Sequence, residues 1–406
     1  MESLEKTTHD WFRLDEIYYR KYLMSKFVEP LRKISFNYCH IAIAKNGGLM
    51  AFVKKSKTFL LENNLIKDHI LVYYQNGHKE AEPIKFEDNK TIVLFEFTKD
   101  EDLICLVSDG KLYRFDIYSL KSDFDYVGLT FSENNIIDAK LFNNCMIMLT
   151  ENGDFYINNN INESNSLQLL SIKKYIPDFI YLNYSSSLST LNIKNNLSIE
   201  LSNTDKFYPN DFLLIPSSNS LSGKLELIIP HPKQGIIIYE ENSTVPKYLK
   251  KDIITNLTKQ SGNDPYDKSC DLGCILKIIL SSNNSYIALF NTEGLIFVMP
   301  SNLNTEEMSI SETGLMFSFP FQMMWCSEDC IVSYNQGLIH LIGPDNKTYK
   351  ITTRTNNAFI VQETDGIRVV EDDHVDFIQR VSKDLIDSIF PLSIDPSKKL
   401  LEVYKV

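Results

Sequence analysis

No run of this 406-residue chain approaches the roughly 18 consecutive apolar residues of a membrane-spanning helix, and the nearest, GCILKIIL, is interrupted by Lys277. Any association with a bilayer is therefore expected to be peripheral, without direct membrane insertion. The opening residues MESLEKTTHD are polar and lack the apolar core of a secretory signal. Seven cysteines is an odd count, so reduced thiols in a cytoplasmic compartment are expected. Basic excess is missing as well: the formal net charge is −12, which repels a polyanion such as nucleic acid. Short basic runs such as Lys54-Lys55 and Lys250-Lys251 read as solvated surface. None of the patterns G-x-S-x-G, G-x-x-x-x-G-K-[ST], H-E-x-x-H or G-x-G-x-x-G occurs. The histidines, His9, His40, His69, His78, His231, His340 and His374, form no close pair. No catalytic residue, cofactor or metal ligand is expected.

What the chain does contain is a repeat. Two short apolar runs joined by a tight turn recur in LICLVSDGKLYRFDI, turning at Asp109-Gly110, and CMIMLTENGDFYI, turning at Asn152-Gly153. They recur again in YIALFNTEGLIFVM, at Glu293-Gly294, and CIVSYNQGLIHLI, at Gln336-Gly337. Gly110 to Gly153 is 43 positions, and so is Gly294 to Gly337, the length of one blade of a β-propeller. A ring also solves the problem of a chain too long for one ordinary core, because each sheet packs on its neighbours. The expected fold is all-β, a seven-bladed β-propeller with a short C-terminal helical segment. Five clear hairpins and two weaker ones also permit six or eight blades. The rhythm is that of WD40 repeats without their Trp-Asp dipeptide, since neither Trp11 nor Trp325 precedes an aspartate.

Residues 1–33, with DWFRLDEIYYRKYLMSKF, lack the two-residue alternation of a strand and read as an irregular lead-in packed on the ring. The propeller is assigned to 34–380. It starts at KISFNYCHIAIAKNGGLMAFV, where Gly47 and Gly48 are both free to take positive φ. HILVYYQNG, TIVLFEF, DLICLV and KLYRFDI are grouped as the next blade, then IIDAKLF, CMIMLT and DFYI. A weaker copy over 178–201 turns at Asn195-Asn196, and DFLLI, KLELII and GIIIYEE supply a fifth blade. There Pro216, Pro230 and Pro232 mark strand edges or ends. Residues 242–274 read as an insertion with a short helix through Leu249, Ile253 and Leu257. Two further hairpins, preceded by ILKIIL and QMMW, give the sixth and seventh blades. The hairpin AFIVQETDGIRVVEDDHVDFI, turning at Asp365-Gly366, completes the first blade and removes an open edge. From 381 to 406 the spacing of Val381, Leu385 and Ile389 predicts the start of a truncated α-helical region, and the uncapped ending LLEVYKV reads as a cut.

Two Cys-x-x-x-Cys pairs, Cys270 with Cys274 and Cys326 with Cys330, have the ligand types of a tetrahedral zinc site. The competing reading is stronger, since Cys326 and Cys330 flank a turn inside a blade where small buried residues are expected. The carboxylate clusters Glu371, Asp372, Asp373 and Asp100, Glu101, Asp102 sit at turns and are expected to face water.

At the two ends the residues resemble a known family. The pattern Trp11-x-x-Leu14-x-Glu16-x-Tyr18-Tyr19-Arg20, followed by Ala44 to Ala51 with Gly47 and Gly48, is similar to the opening of the vacuolar protein sorting-associated protein 16 family. The later segments MMWCSEDCIVSY, with Trp325 and Cys326, and ETDGIRVV, with Asp365 and Gly366, resemble its closing propeller strands, and FIQRVSKDLIDSIFPLSIDPSKKLLE resembles the lead-in to its helical half. The chain departs from many relatives at Asp15 and over 242–274.

The resemblance implies the N-terminal propeller of a subunit shared by the HOPS and CORVET tethering complexes, cytoplasmic and peripheral on endosome and vacuole or lysosome membranes. Its implied partners are the other HOPS and CORVET subunits. The SM-family subunit is implied to bind only a C-terminal solenoid that is missing here. Three functional readings follow: a non-catalytic scaffold, a ring that reads short peptide motifs, and a propeller enzyme with groups around the channel. The last fits least, because innermost strands such as TIVLFEF and ILKIIL are mainly apolar.

Overall fold

The computed structural model describes residues 10–170, 211–249 and 275–385, less short interruptions of which 56–68, 127–134 and 313–321 are the longest. Two strands, β1 (Asp10–Leu14) and β2 (Ile17–Lys26), come first. Blade 1 follows as β3 (Cys39–Ile43), β4 (Met50–Lys54), β5 (His69–Tyr73) and β6 (Ile84–Lys85). Blade 2 is β7 (Ile92–Phe97), β8 (Leu103–Val107), β9 (Lys111–Asp116) and β10 (Lys121–Tyr126). Blade 3 is β11 (Ile136–Phe142), β12 (Cys145–Thr150), β13 (Phe155–Asn158) and β14 (Leu167–Leu170). Blade 4 is β15 (Leu213–Ile215), β16 (Glu226–His231), β17 (Gly235–Glu240) and β18 (Lys247–Leu249). Blade 5 is β19 (Ile275–Leu280), β20 (Tyr286–Asn291), β21 (Leu295–Pro300) and β22 (Ser309–Glu312). Blade 6 is β23 (Gln322–Cys326), β24 (Cys330–Asn335), β25 (Leu338–Ile342) and β26 (Thr348–Thr352). Blade 7 joins β27 (Phe359–Gln362), β28 (Gly366–Val370) and β29 (His374–Arg380) to the first two strands, in the order β1-β2-β29-β28-β27.

Each blade is an antiparallel meander, and among the described residues seven apolar clusters lie between successive blades. Ala42 and Ile70 meet Phe95 and Leu103 between blades 1 and 2. Ile104 and Leu106 meet Ile136 and Met148 between blades 2 and 3. The pattern continues through Ile147 with Phe212, Ile228 with Ile278, and Phe290 with Trp325. Val332 and Leu341 meet Tyr19, Ile367 and Ile378 between blades 6 and 7. Val370 and Val375 meet Phe52 and Leu71 between blades 7 and 1, which closes the ring. This arrangement explains why strands such as LICLV are apolar without interruption. Leu103, Cys105 and Val107 turn to one neighbour, Ile104 and Leu106 to the other, so both faces are covered. An outermost strand such as β26 has four of its five residues exposed. The repeated turn glycines, Gly110, Gly153, Gly294 and Gly337, have φ between +80° and +88°, where L side chains are strained.

Several expectations change. The lead-in is not irregular over its described residues: Asp10–Leu14 and Ile17–Lys26 are strands, and β2 pairs with β29 from Tyr19↔Arg380 to Lys26↔His374. The alternation was hidden because β2 faces water on part of both sides and slips register between Leu23 and Ser25. The final hairpin therefore does not complete blade 1; it belongs to blade 7, which the N-terminal strands complete. HILVYYQNG belongs to blade 1 as β5, and β10 supplies the fourth strand of blade 2. Pro230 lies within an inner strand, β16, but β15 pairs only as far as Ile228, so at Pro230 the strand has one ladder partner. Lys247–Leu249 is a strand and not the start of a helix. The weak copy over 178–201, the residues 250–274 and the helical region beyond Leu385 lie outside the described residues.

The turn glycines divide into two kinds. Gly366 has no positive φ, yet a Cβ there would lie 2.2 Å from Ile378 O and 3.0 Å from Gln379 Cα. Gly223 has φ +67° with nothing within 4 Å of an added Cβ. Gly366→Ala is expected to destabilise by about 3 kcal/mol or more and Gly223→Ala by about 1 kcal/mol, read from urea midpoints; equal effects would contradict the close packing of β28 on β29.

Candidate functional site at the ring closure and channel

The residues that carry the family resemblance come from both ends of the sequence, and most of them meet where blade 7 closes the ring. Leu14 and Tyr19 are buried beside Cys326, Cys330 and Ile378 in the cluster between blades 6 and 7. Phe12 stacks on Tyr19 at 5.5 Å and on Tyr349 of β26 at 4.1 Å. Arg20 Nη2 donates to Gln379 Oε1 at 2.6 Å, and Gln379 Nε2 donates to Asp365 Oδ2 at 2.6 Å. Gly366 lies opposite Gln379 across the β28–β29 ladder. Arg380 pairs with Asp329 in the β23–β24 turn. Trp325 points the other way along β23, into the cluster with blade 5.

On the side facing blade 1, sequence reasoning missed the principal residues. Arg368 is fully buried and pairs with Glu363 at 2.6 Å. Its guanidinium donates to Ala44 O and, at 3.5 Å, to Gly48 O, while Asn46 N donates to Glu363 Oε2 at 2.5 Å. The β3–β4 turn is thus bolted to blade 7. Its left-handed positions are Asn46 and Gly47, at φ +57° and +78°; Gly48 serves by lacking a Cβ, which would meet Ala44 Cβ at 2.5 Å. A lone arginine inside the apolar strand GIRVV was the available signal.

The outer part of the same blade is open. Trp11, Leu23 and Met24 are each about 40% exposed, and the Arg20 guanidinium lies 4.7 Å from the Tyr22 ring and 5.9 Å from the Trp11 ring. Tyr18 flanks this face, with Arg13 over its ring at 5.7 Å. Such a mixture of aromatic, thioether and guanidinium groups is what binding surfaces favour. β1 is the edge of its sheet.

The channel is more charged than the inner strands suggested. A cavity of about 440 Å³ is lined by Ile43, Lys45, Glu96, Leu141, Phe359 and Gln362 among others. Glu96 lines this cavity with part of its surface open, yet the surrounding protein desolvates its carboxyl and pushes the pKa up to about 7, moderated by Lys45 and Lys140. Asp211 is buried and accepts from Phe212 N at 3.0 Å and Ile278 N at 2.9 Å. Lys140 of β11 pairs with it, and Lys277 Nζ of β19 lies 3.4 Å away. Burial pushes the Asp211 carboxyl up, but the two ammonium groups and the amide donors outweigh it and hold the pKa low. These charges satisfy one another and join blades 3, 4 and 5.

Cys326 and Cys330 are buried and face each other across the β23–β24 ladder, in agreement with the small-residue reading; Cys270 and Cys274 lie outside the described residues. Asp100 and Asp102 are exposed as expected. Glu371 is not: it is 1% exposed and accepts from Thr355 N at 2.9 Å, because the β28–β29 turn folds inward beneath the residues preceding β27. Among the described residues no helix is long and apolar enough to cross a membrane.

The sequence pattern of the family described as Vps16, N-terminal region, matches residues 7–211 and 236–406. Over 396 residues the chain is 23% identical to Protein VACUOLELESS1 of Arabidopsis thaliana, covering 97% of this chain and 42% of that protein. Over 410 residues it is 20% identical to the Vacuolar protein sorting-associated protein 16 homolog of Drosophila melanogaster, covering 98% and 42%. The chain thus spans about two fifths of the length of these relatives. A chain in the crystal structure of a mitotic checkpoint complex superposes with a TM-score of 0.51 at 10% identity, covering 89% of this chain and 92% of that one, a likeness of fold alone.

Asp211 generates a test of the channel. Its folded-state pKa lies below that of the unfolded chain, so its pairing stabilises the fold fully at neutral pH and fades as pH falls below the usual carboxylate value of about 4. Asp211→Asn is expected to lower stability by roughly 2 kcal/mol at neutral pH, less than a wholly buried pair because both lysines are partly solvated. The deficit should shrink as the medium is acidified. Urea unfolding of both proteins across the acid range checks this; a deficit independent of pH would contradict it.

Proposed function

The chain belongs to the Vps16 N-terminal-region family, and from that premise we propose that it is a non-catalytic interaction ring of a vacuolar protein sorting tether. The single observation that carries this reading is the extent of the family match, which includes both ends of the ring and nearly the whole chain. The relatives' names, VACUOLELESS1 and vacuolar protein sorting-associated protein 16 homolog, point to the vacuolar route. Within it, the HOPS and CORVET assemblies are the tethers we assign, acting in endosome-to-vacuole or lysosome transport and membrane fusion. The chain would then be cytoplasmic and peripheral on those membranes, with the other HOPS and CORVET subunits as partners. SM-subunit binding is assigned to the relatives' further length.

Shape supports a scaffold. A closed ring would offer a preformed surface, which limits the ordering cost of association. Asp211, Lys140 and Lys277 are engaged with each other, and an activated nucleophile beside a general base is not among the described pairs. A second reading, recognition of a short linear motif, is favoured by the open edge of β1 beside Trp11, Arg20 and Tyr22.

Affinity purification from cells tests the proposal. The tagged 406-residue chain is expected to retrieve other tether subunits and to concentrate on endosomes and vacuoles. Trp11→Ala combined with Met24→Ala, both on the exposed outer part of blade 7, is expected to reduce that recovery about tenfold with unchanged circular dichroism. A folded chain that retrieves no tether subunit would overturn the scaffold reading.

A further inference from the structure

The β28–β29 turn holds a buried group that the interaction role does not use. Glu371, His374 and Asp376 are 1%, 0% and 4% exposed, and one ligand-type atom from each lies within 4.8 Å of the others. His374 Nδ1 lies 2.5 Å from Asp373 Oδ1. A carboxylate at that distance accepts a hydrogen bond from Nδ1–H, a tautomer in which the unprotonated Nε2 presents a lone pair. That nitrogen has no hydrogen-bond partner. It is aimed at Glu371 Oε1, 3.5 Å away, and Asp376 Oδ2, 3.4 Å away.

A lone pair facing two carboxylate oxygens in a buried site is repulsive unless a cation lies between them. Two observations decide which cation. A proton on Nε2 would draw a charge-assisted contact to about 2.7–2.9 Å, shorter than either separation. An ion with bonds of about 2.0–2.1 Å in tetrahedral geometry sets its ligand atoms about 3.3–3.4 Å apart, close to the spacing seen. The Asp376 carboxylate is 2.9 Å from Lys21 Nζ, so that ammonium offsets only one of the two buried carboxylates and a cation is left to balance the other.

We propose that Glu371, His374 and Asp376 form a binding site for a divalent transition-metal ion, zinc by ligand type, with a fourth position left for water. Thr355 N fixes the far oxygen of Glu371, and Asp373 sets the tautomer of the ligating imidazole. Because Lys21 belongs to β2, the ion would tie the β28–β29 turn to the N-terminal strand and stiffen the closure of the ring.

Metal binding by the intact 406-residue chain, first stripped with chelator, tests the site. Cobalt(II) chloride is expected to bind one ion per chain through these ligands, with the visible absorption of a tetrahedral site, and zinc chloride to displace it and raise the melting temperature. His374→Ala is expected to abolish the cobalt spectrum. Since His374 is wholly buried and its loss can unfold the chain, Asp373→Asn, whose side chain is 41% exposed, is the second variant, expected to weaken zinc about 10- to 100-fold. Absence of stoichiometric binding to the folded chain overturns the proposal, as does a zinc affinity that Asp373→Asn leaves unchanged, which would put the ion elsewhere.

Discussion

The pairing of β2 with β29 is the contact on which the molecule depends. It joins residues about 360 positions apart, Arg20 to Gln379 among them, and the backbone ladder extends past both strands through Phe27 N to Asp373 O and Val381 N to Tyr18 O. Without it, blade 7 would have three strands and a bare edge, and the cluster that covers blade 6 would lose Phe12, Leu14 and Tyr19. A stack of sheets that fails to close leaves two apolar faces in water. Closing so long a loop costs entropy, but that cost grows only as the logarithm of length, while the seam buries aromatic side chains on both of its neighbours.

Charge supplies the register that apolar packing alone leaves loose. Lys21 with Asp376 ties β2 to β29, Arg368 with Glu363 braces the β27–β28 hairpin, and Arg380 with Asp329 joins blade 7 to blade 6. A one-residue slip of β2 would turn Tyr19 out of the core and Lys21 away from Asp376. The buried arginine also binds the carbonyls of the β3–β4 turn, so blade 1 is oriented by the same sheet that receives the N-terminal strand. The open outer part of that sheet, with Trp11, Leu23 and Met24, therefore stands on the most heavily braced part of the ring, where an interaction surface keeps its shape.

How far this was legible in the sequence depends on what each residue has to do. The blade rhythm was readable because Gly110, Gly153, Gly294 and Gly337 occupy a left-handed turn position in each copy, and because doubly covered strands such as LICLV carry an unbroken apolar run. The N-terminal strands were not readable: β2 mixes Arg20, Lys21 and Lys26 with its aromatics, and its burial is set by a partner strand at the other end of the chain. The same long-range dependence hid the channel charges. Lys140 lies among apolar residues of β11, and Asp211 meets Lys277 only when blades 4 and 5 come together. Glu371 looked like one of three solvated acids because nothing local shows that Thr355 will cap it. The family-matching ends were legible as a resemblance, yet their meeting in one seam is a property of the closed ring.

A surface standing on this ring is held in place only as firmly as the ring is closed. Native-state hydrogen exchange measures the closure most directly. If the N-terminal strands are integral to the ring, the ladder amides of β2 and β29 will exchange only through global unfolding, with the same denaturant dependence as those of β12 and β20. If β1 and β2 exchange early while the other blades remain protected, the N-terminal segment is an appendage, and the ring does not depend on the β2–β29 seam for its closure.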